Sequence, residues 1–241
     1  MNFTKIHASS NATYDAGLRA YMLAIYNYMF VALVITGLSA VLAVASPLSY
    51  LVFNIQDGQF YGLSGLGTLI AIAPVGIAFY LFWGINKVNT RKAMMLFWVY
   101  AALTGVSLSS VCFVYTMQSI ARSFFITAAV FGAMSIYGYS TKRDLTSFGS
   151  FVTMGLLGVI IASLMNIFLK SSGLNFAISL LSVGIFTGLI AFDTQKLKEV
   201  YLQNRHNPSL QKVAILGAFT LYLDLINLFI YILRFVGNRR D

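Results

Sequence analysis

The sequence contains very little charge. Only 10% of its 241 residues are Asp, Glu, Lys or Arg, whereas 59% are hydrophobic. A soluble domain of this length carries about a quarter of its residues as charged side chains, and a surface with so few charges would not stay dissolved in water. The composition therefore excludes a soluble globular protein and predicts a chain whose solvent is the lipid bilayer.

Cysteine and histidine are almost absent. The one cysteine, Cys112, cannot form a disulfide within the chain, and in a hydrophobic run it is expected to act as a small hydrophobic side chain. His7 and His206 have no second ligand at the spacing of a metal site. No Ser, Cys or His arrangement suits nucleophilic catalysis, and no glycine-rich loop suits phosphate. The sequence thus predicts neither an enzyme nor a bound cofactor.

The net charge of +9 does not form a nucleic-acid patch. Lys and Arg fall singly or in twos and threes between hydrophobic runs, which is typical of charges that orient a membrane protein. They are concentrated in the N-terminal region and in the loops after the second, fourth and sixth runs, which predicts that the N-terminus and these loops are cytoplasmic. Seven full spans would place Arg234, Arg239 and Arg240 outside. Either the earlier helices determine the orientation, or a late segment is re-entrant.

Seven hydrophobic runs are long enough to cross a membrane as helices. We predict spans at residues 23–45, 66–83, 93–115, 124–139, 148–169, 176–192 and 213–235. The chain then consists of a polar N-terminal tail (residues 1–22), one transmembrane domain (23–235) and a basic C-terminal tail (236–241). The predicted fold class is an all-α membrane protein with seven transmembrane helices.

Two of the seven acidic residues lie within hydrophobic runs. Asp224 is in the middle of the last run, 11 residues after its start, or about 16 Å along a helix. Asp193 ends the preceding run and reaches a similar depth if its helix continues to about residue 201. A carboxylate at bilayer depth costs a few kcal/mol and is usually functional. Because consecutive helices are antiparallel, we expect Asp193 and Asp224 to be in contact.

The last run also carries a polar stripe. Its members are spaced by three or four residues and therefore share one helical face; they are Gly217, Thr220, Asp224, Asn227, Tyr231 and Arg234. A helix with such a stripe is expected inside the bundle, with Thr220, Asn227, Tyr231 and Arg234 supporting Asp224.

Two carboxyl groups in contact at low dielectric cannot both ionise cheaply, so the pair is expected to share a proton. Protonated, Asp193 and Asp224 would hold two helices together. Deprotonated, they would repel each other and offer oxygen ligands to a passing Ca²⁺ ion. This predicts a pH sensor and ion gate. The alternative is that a neighbouring Asn, Thr or Arg satisfies each aspartate separately.

Four segments carry a family resemblance. LYLDLINLF at residues 221–229, AFDTQKL at 191–197, LTGVSLSS at 103–110 and YGYSTKRDL at 137–145 together resemble the bacterial branch of the Bax inhibitor-1 family. The resemblance implies a bacterial inner-membrane protein with six helices around a central C-terminal helix. It also implies a pH-dependent Ca²⁺ leak governed by a di-aspartyl sensor at Asp193 and Asp224, and in some members a link to a membrane-bound protease.

One departure from a calcium-leaking bacterial relative concerns the arginine that would pair with the two aspartates and hold the gate closed, which we call the latch. That relative has an arginine run at the start of the third span, where this sequence reads Asn89-Thr90-Arg91-Lys92. Arg91 or Arg234 would have to replace it.

Three functions remain open at this point. The first is a passive, proton-gated cation leak with Ca²⁺ as permeant ion. The second is a non-transporting regulator that binds a membrane protease or a stress-response partner. The third, an intramembrane hydrolase with two aspartates, is disfavoured because the sequence lacks a glycine-aspartate motif.

Overall fold

The computed structural model describes residues 3–56, 59–204 and 209–240, with the backbone alone for residues 3–15 and Asn86. Its helices are α1 (Phe3–Ala45), α2 (Leu48–Val52), α3 (Gly65–Gly84), α4 (Thr90–Leu108), α5 (Val111–Val114), α6 (Met117–Ser140), α7 (Thr146–Leu169), α8 (Ser172–Asn204) and α9 (Leu210–Val236). Strands β1 (Phe53–Gln56) and β2 (Gln59–Leu63) form an antiparallel hairpin between α2 and α3. His206 and the side chain of His7 lie outside the described residues.

Seven helical segments within the described residues are long and apolar enough to cross a membrane. They are the part of α1 from Ala16, α3, α4 together with α5, α6, α7, α8 and α9. The predicted class, an all-α membrane protein with seven spans, is therefore confirmed. The last three of these helices, α7, α8 and α9, are each long and apolar enough to cross the membrane.

The two ends of the bundle are fixed by contacts between its loops. At one end, Lys212 at the start of α9 donates from Nζ to the carbonyl oxygen of Val88, 3.0 Å away in the α3–α4 loop. At the other end, the chain after α9 pairs with the α5–α6 corner: the Arg240 N–H donates to Val114 O at 2.9 Å, and the Thr116 N–H donates to Asn238 O at 3.2 Å. The C-terminal segment is thus anchored at the end opposite the α3–α4 loop.

Several element boundaries differ from the prediction. Helix α1 begins at Phe3, so most of the predicted tail at 1–22 is helical, and α8 continues past residue 192 to Asn204. The predicted span at 93–115 is two helices, α4 and α5. At the break, Ser109 Oγ donates to Val106 O at 2.6 Å and Ser110 Oγ donates to Ser107 O at 2.8 Å, and such local bonds compete with a continuous helix.

Helix α9 is the most buried of the spans. In its most apolar window 56% of the residues are buried, against 11% for α7. It contacts α1, α4, α6 and α8, whereas α3 packs chiefly on α4 and α7 packs chiefly on α8. The interior position expected for the last helix is present. A complete ring of six helices around α9 remains a prediction.

Tyr222 joins three helices within this core. The ring is fully buried and stands edge-on to Phe97 of α4. Its hydroxyl lies 2.7 Å from Oγ1 of Thr36 in α1, and that oxygen lies 3.0 Å from the carbonyl oxygen of Ala101 in α4. Because a buried hydroxyl needs a partner, this chain of contacts fixes α9 against α1 and α4.

Candidate functional site

Asp224 lies deep inside the bundle. It is 14 residues after Leu210 and 12 residues before Val236, which places it about 21 Å and about 18 Å from the two ends of α9. The side chain is 5% exposed, and Oδ2 is buried without a hydrogen-bond partner among the described residues. A buried polar atom in this condition is unusual and calls for an explanation.

Asp193 reaches the same depth from the neighbouring helix. It lies 11 residues before Asn204, the last residue of α8, and therefore about 16 Å inside that helix. The predicted depth of Asp193 required a helix that continues past Lys198, and α8 does continue to Asn204. Asp193 is half-buried, so it is the more accessible of the two aspartates.

The antiparallel packing of α8 and α9 brings the two aspartates together. On one side of them Leu197 packs against Gly217, so closely that a Cβ there would collide with it. On the other side the rings of Phe186 and Tyr231 stack with centroids 5.9 Å apart. Between these contacts the carboxyl groups of Asp193 and Asp224 lie close enough to interact by hydrogen bonding and by charge.

Neither arginine suggested as a latch lies beside this pair. Arg91 is exposed at the start of α4, at the bundle end where α9 begins, about 21 Å from the depth of Asp224. Arg234 is exposed ten residues further along α9, about 15 Å from Asp224. The basic group that acts on Asp193 is Lys196 of the same helix, whose Nζ lies 5.7 Å from the ring centroid of Phe192.

The polar stripe supports α9 rather than the pair. Thr220 Oγ1 donates to Leu216 O at 3.1 Å, and Asn227 Nδ2 donates to Leu223 O at 2.8 Å, so both side chains bond within their own helix. Tyr231 stacks on α8 as described above. Of the stripe, Asp224 is the member that interacts with Asp193.

The residues that follow Asp193 hold the α6–α7 loop, a role that the sequence did not indicate. Gln195 Oε1 accepts the N–H of Leu145, and Nε2 donates to Arg143 O, both at 2.8 Å. Lys198 Nζ donates to Tyr139 O at 3.2 Å. Gln195 lies in the AFDTQKL segment and Lys198 directly follows it, so that segment was the one signal that could have pointed to them. One turn of α8 therefore carries both an acid of the pair and the anchor of a loop.

Small residues bring α6 directly against this turn. A Cβ at Gly138 would lie 2.9 Å from the carbonyl carbon of Ala191 and 3.0 Å from its Cα, so the backbones of α6 and α8 are in contact two residues before Asp193. Gly149 of α7 makes similar room for the ring of Phe192. Such contacts between small residues and a facing helix are the usual means of tight packing in membranes.

A cavity opens between α1 and α6 on the side of Asp193. Its volume is about 590 Å³, and its polar lining includes Arg19, Tyr26 and Ser135. The Tyr26 side chain also lies near Thr194, the residue after Asp193. The hydroxyl groups of Ser135 and Thr194 are buried without a hydrogen-bond partner among the described residues. A line of polar groups thus leads from this cavity to the residue next to Asp193.

Seven apolar helices and a buried acidic pair define a polytopic membrane protein with titratable groups at mid-depth. The chain belongs to the Bax inhibitor-1 family, because the family model described as inhibitor of apoptosis-promoting Bax1 matches residues 18–241. It is 55% identical to an uncharacterized protein of Rickettsia prowazekii over 97% of this chain and 95% of the relative. It is 45% identical to the inner membrane protein YbhL of Escherichia coli over 93% of this chain and 94% of YbhL.

A more distant relative, an uncharacterized membrane protein of Streptococcus pyogenes, is 36% identical over 93% of this chain and 95% of its own length. Together with the seven apolar helices, the similarity to YbhL identifies the chain as a multi-pass protein of the inner membrane.

Proposed function

We propose that the protein is a passive, pH-sensitive leak for Ca²⁺ in the inner membrane, gated by Asp193 and Asp224. The observation that supports this most is the close approach of two carboxyl groups at mid-depth of a membrane bundle. We also infer from the loop charges that the N-terminus is cytoplasmic. In that orientation Asp193 is approached from the cytoplasmic side.

The gate follows from the charge of the pair. With one shared proton the two carboxyl groups can hydrogen-bond, which holds α8 against α9. When that proton is lost, two negative charges in close proximity repel each other by a few kcal/mol at an effective dielectric constant of about 20. A repulsion of this size is enough to shift a closed bundle toward an open state. Flux should therefore rise as the pH is raised.

The same pair suits a passing Ca²⁺ ion better than a resident one. Ca²⁺ binds carboxylate oxygens but takes six to eight oxygen ligands. No group of three or more His, Cys, Asp or Glu side chains that could hold a metal occurs in the described residues. Two carboxylates would attract the ion and release it, as a leak requires. The proposal needs no catalytic step, and peptide hydrolysis that depends on both aspartates would overturn it.

Proteoliposomes loaded with a Ca²⁺-sensitive dye test the proposal. Wild-type protein is expected to pass Ca²⁺ with a rate that rises with pH, and Asp224→Asn or Asp193→Asn should abolish this dependence. Asp144→Asn is the matched control, because it removes one carboxylate from the exposed α6–α7 loop and should leave the profile unchanged. Flux that is indifferent to both embedded aspartates would contradict the gate.

The second candidate function is a membrane regulator that binds a membrane-bound protease or a stress-response partner. The observation that favours it is the shortness of the loops in the described ranges, which leaves lipid-facing helix surfaces for partners. Crosslinking in native membranes separates the two functions. A stoichiometric partner that persists in Asp224→Asn, together with no Ca²⁺ flux in liposomes, would favour the regulator.

A further inference from the structure

A second cavity lies between α7, α8 and α9, away from the acidic pair. Its volume is about 440 Å³, and it is located where α7 and α9 end and α8 begins. Polar residues line its rim, and aliphatic side chains line the wall below. No acidic residue contributes to its lining. The cavity therefore combines an uncompensated positive charge with an aliphatic wall.

The rim lies at the depth of the membrane interface. Asn166 is three residues before the end of α7, Asn175 is three residues after the start of α8, and Arg234 is two residues before the end of α9. At 1.5 Å per residue, all three lie within about 5 Å of the helix ends. This is the level at which lipid headgroups meet the hydrocarbon.

The wall below the rim is mainly aliphatic, with Ser163 as a polar member on α7. Leu164 and Ile160 lie two and six residues deeper in α7 than Asn166, and Ile178 lies three residues deeper in α8 than Asn175. The wall thus extends about 9 Å below the rim. A polar rim above an apolar wall matches the order of headgroup and acyl chain in a phospholipid.

Arg234 is held in position to bind an anion at this rim. Its guanidinium carbon lies 5.4 Å from the ring centroid of Tyr231, and the next residue, Phe235, packs its ring on Phe176 of α8 with centroids 5.5 Å apart. None of the protein hydrogen bonds within residues 16–56, 59–204 and 209–240 uses the Arg234 guanidinium. Its paired donors suit the two free oxygens of a phosphodiester.

We propose that this cavity binds an anionic phospholipid from the leaflet at that end of the bundle. Arg234 contacts the phosphodiester, and the walls of α7 and α8 contact an acyl chain. Asn166 uses Oδ1 to accept the N–H of Ser171 at 3.0 Å, which leaves its Nδ2 group to donate to the headgroup. No carboxylate lines the site to attract the positive charge of a choline group. The site therefore favours an anionic headgroup over a zwitterionic one. The proposal does not depend on the leak function.

Lipid binding to the full chain in detergent tests this proposal. Phosphatidylglycerol and phosphatidylcholine with the same acyl chains are added, and bound lipid is counted by native mass spectrometry. Phosphatidylglycerol should bind the wild type more tightly, and Arg234→Gln should weaken that binding by about tenfold or more, the loss expected for one charge-assisted contact. Arg122→Gln is the matched control, because it removes an exposed arginine near the start of α6 at the same bundle end and should change nothing.

Each other outcome is decisive. Equal phosphatidylglycerol binding by wild type and Arg234→Gln overturns the proposal, as does an equal loss in Arg122→Gln or equal binding of phosphatidylcholine. If Arg234→Gln does not fold, Arg234→Lys replaces it: severalfold weaker binding supports the paired contact, and unchanged binding overturns it. Complete displacement of phosphatidylglycerol by millimolar inorganic phosphate would show that the rim binds free phosphate and would overturn the proposal of a lipid site.

Discussion

Replacing Gly138 by alanine is expected to force α6 and α8 apart beside Asp193. The new Cβ would lie 2.9 Å from the carbonyl carbon of Ala191, whereas ordinary contacts of a Cβ begin at 3.4 Å. The obstacle is backbone, which cannot rotate away as the tip of a side chain can. The helices must therefore separate by at least about half an ångström, and interiors packed to crystal density tolerate this poorly.

The size of the effect follows from two opposing terms. Overpacking a tight contact costs about 1–3 kcal/mol, while exchanging Gly for Ala in a helix gains about 0.5–1 kcal/mol. Gly132→Ala is a matched control on the same helix, because no atom outside its local backbone lies within 4 Å of its Cβ position. Gly132→Ala should be neutral or stabilising, and Gly138→Ala should be less stable than it by about 1–3 kcal/mol.

Thermal unfolding of the two variants in the same detergent measures this difference. For a chain of this size, about 2–4 °C in melting temperature corresponds to 1 kcal/mol, so Gly138→Ala should melt several degrees below Gly132→Ala. Ca²⁺ flux in proteoliposomes provides a second readout, since a displaced Asp193 should alter its pH dependence. Equal melting temperatures would refute the backbone contact between α6 and α8.

Two further changes address the α6–α7 loop. Gln195→Leu removes the hydrogen bonds to Arg143 and Leu145 and leaves their backbone groups unpaired, which should lower the free energy of unfolding by about 1–3 kcal/mol. Proteolysis of the loop should then be faster, and cleavage at the wild-type rate would contradict this. Hydrogen bonds from Thr146 lower the pKa of Asp144 below 3.8. Because the pKa of Asp144 is lower in the folded state, its ionised form stabilises the fold above pH 3.8. This stabilisation is lost as the pH falls through the pKa of the folded state. Asp144→Ala should thus lower the protection of the first amides of α7 against hydrogen exchange at neutral pH. Their protection factors should also no longer change as the pH falls, which mass spectrometry can follow.

Composition and hydrophobic length were sufficient to predict the fold class. Water cannot solvate a chain with 10% charged residues, and each long apolar run has one stable form in lipid, a helix. The boundaries were less predictable because a helix does not stop where hydrophobicity stops. Most of the first residues after Phe192 are polar, yet they extend α8 to Asn204. Gln195 bonds to the α6–α7 loop and Lys198 to the end of α6.

The candidate site was partly predictable for a similar reason. Depth alone singled out Asp224, and antiparallel packing predicted that Asp193 would meet it. The stripe suggested that Thr220 and Asn227 support Asp224, whereas both side chains form hydrogen bonds within α9 itself. On a helix that contacts four others, burial does not identify a single inner face, and short polar side chains bond their own backbone. The partners of Gln195 lie 50 and 52 residues away, and local pattern cannot reveal contacts at that separation.

The deep burial of α9 has a consequence for biosynthesis. The chain is made from its N-terminus, so Leu210–Val236, the helix on which α1, α4, α6 and α8 pack, is synthesised after all four of them. Until then Thr36 lacks the hydroxyl of Tyr222, and Asp193 stands in the bilayer without its partner, at a cost of a few kcal/mol. Insertion of the final helix supplies both missing groups at once. Completion of the core and assembly of the acidic pair are therefore one event, and it takes place only after α9 has been made.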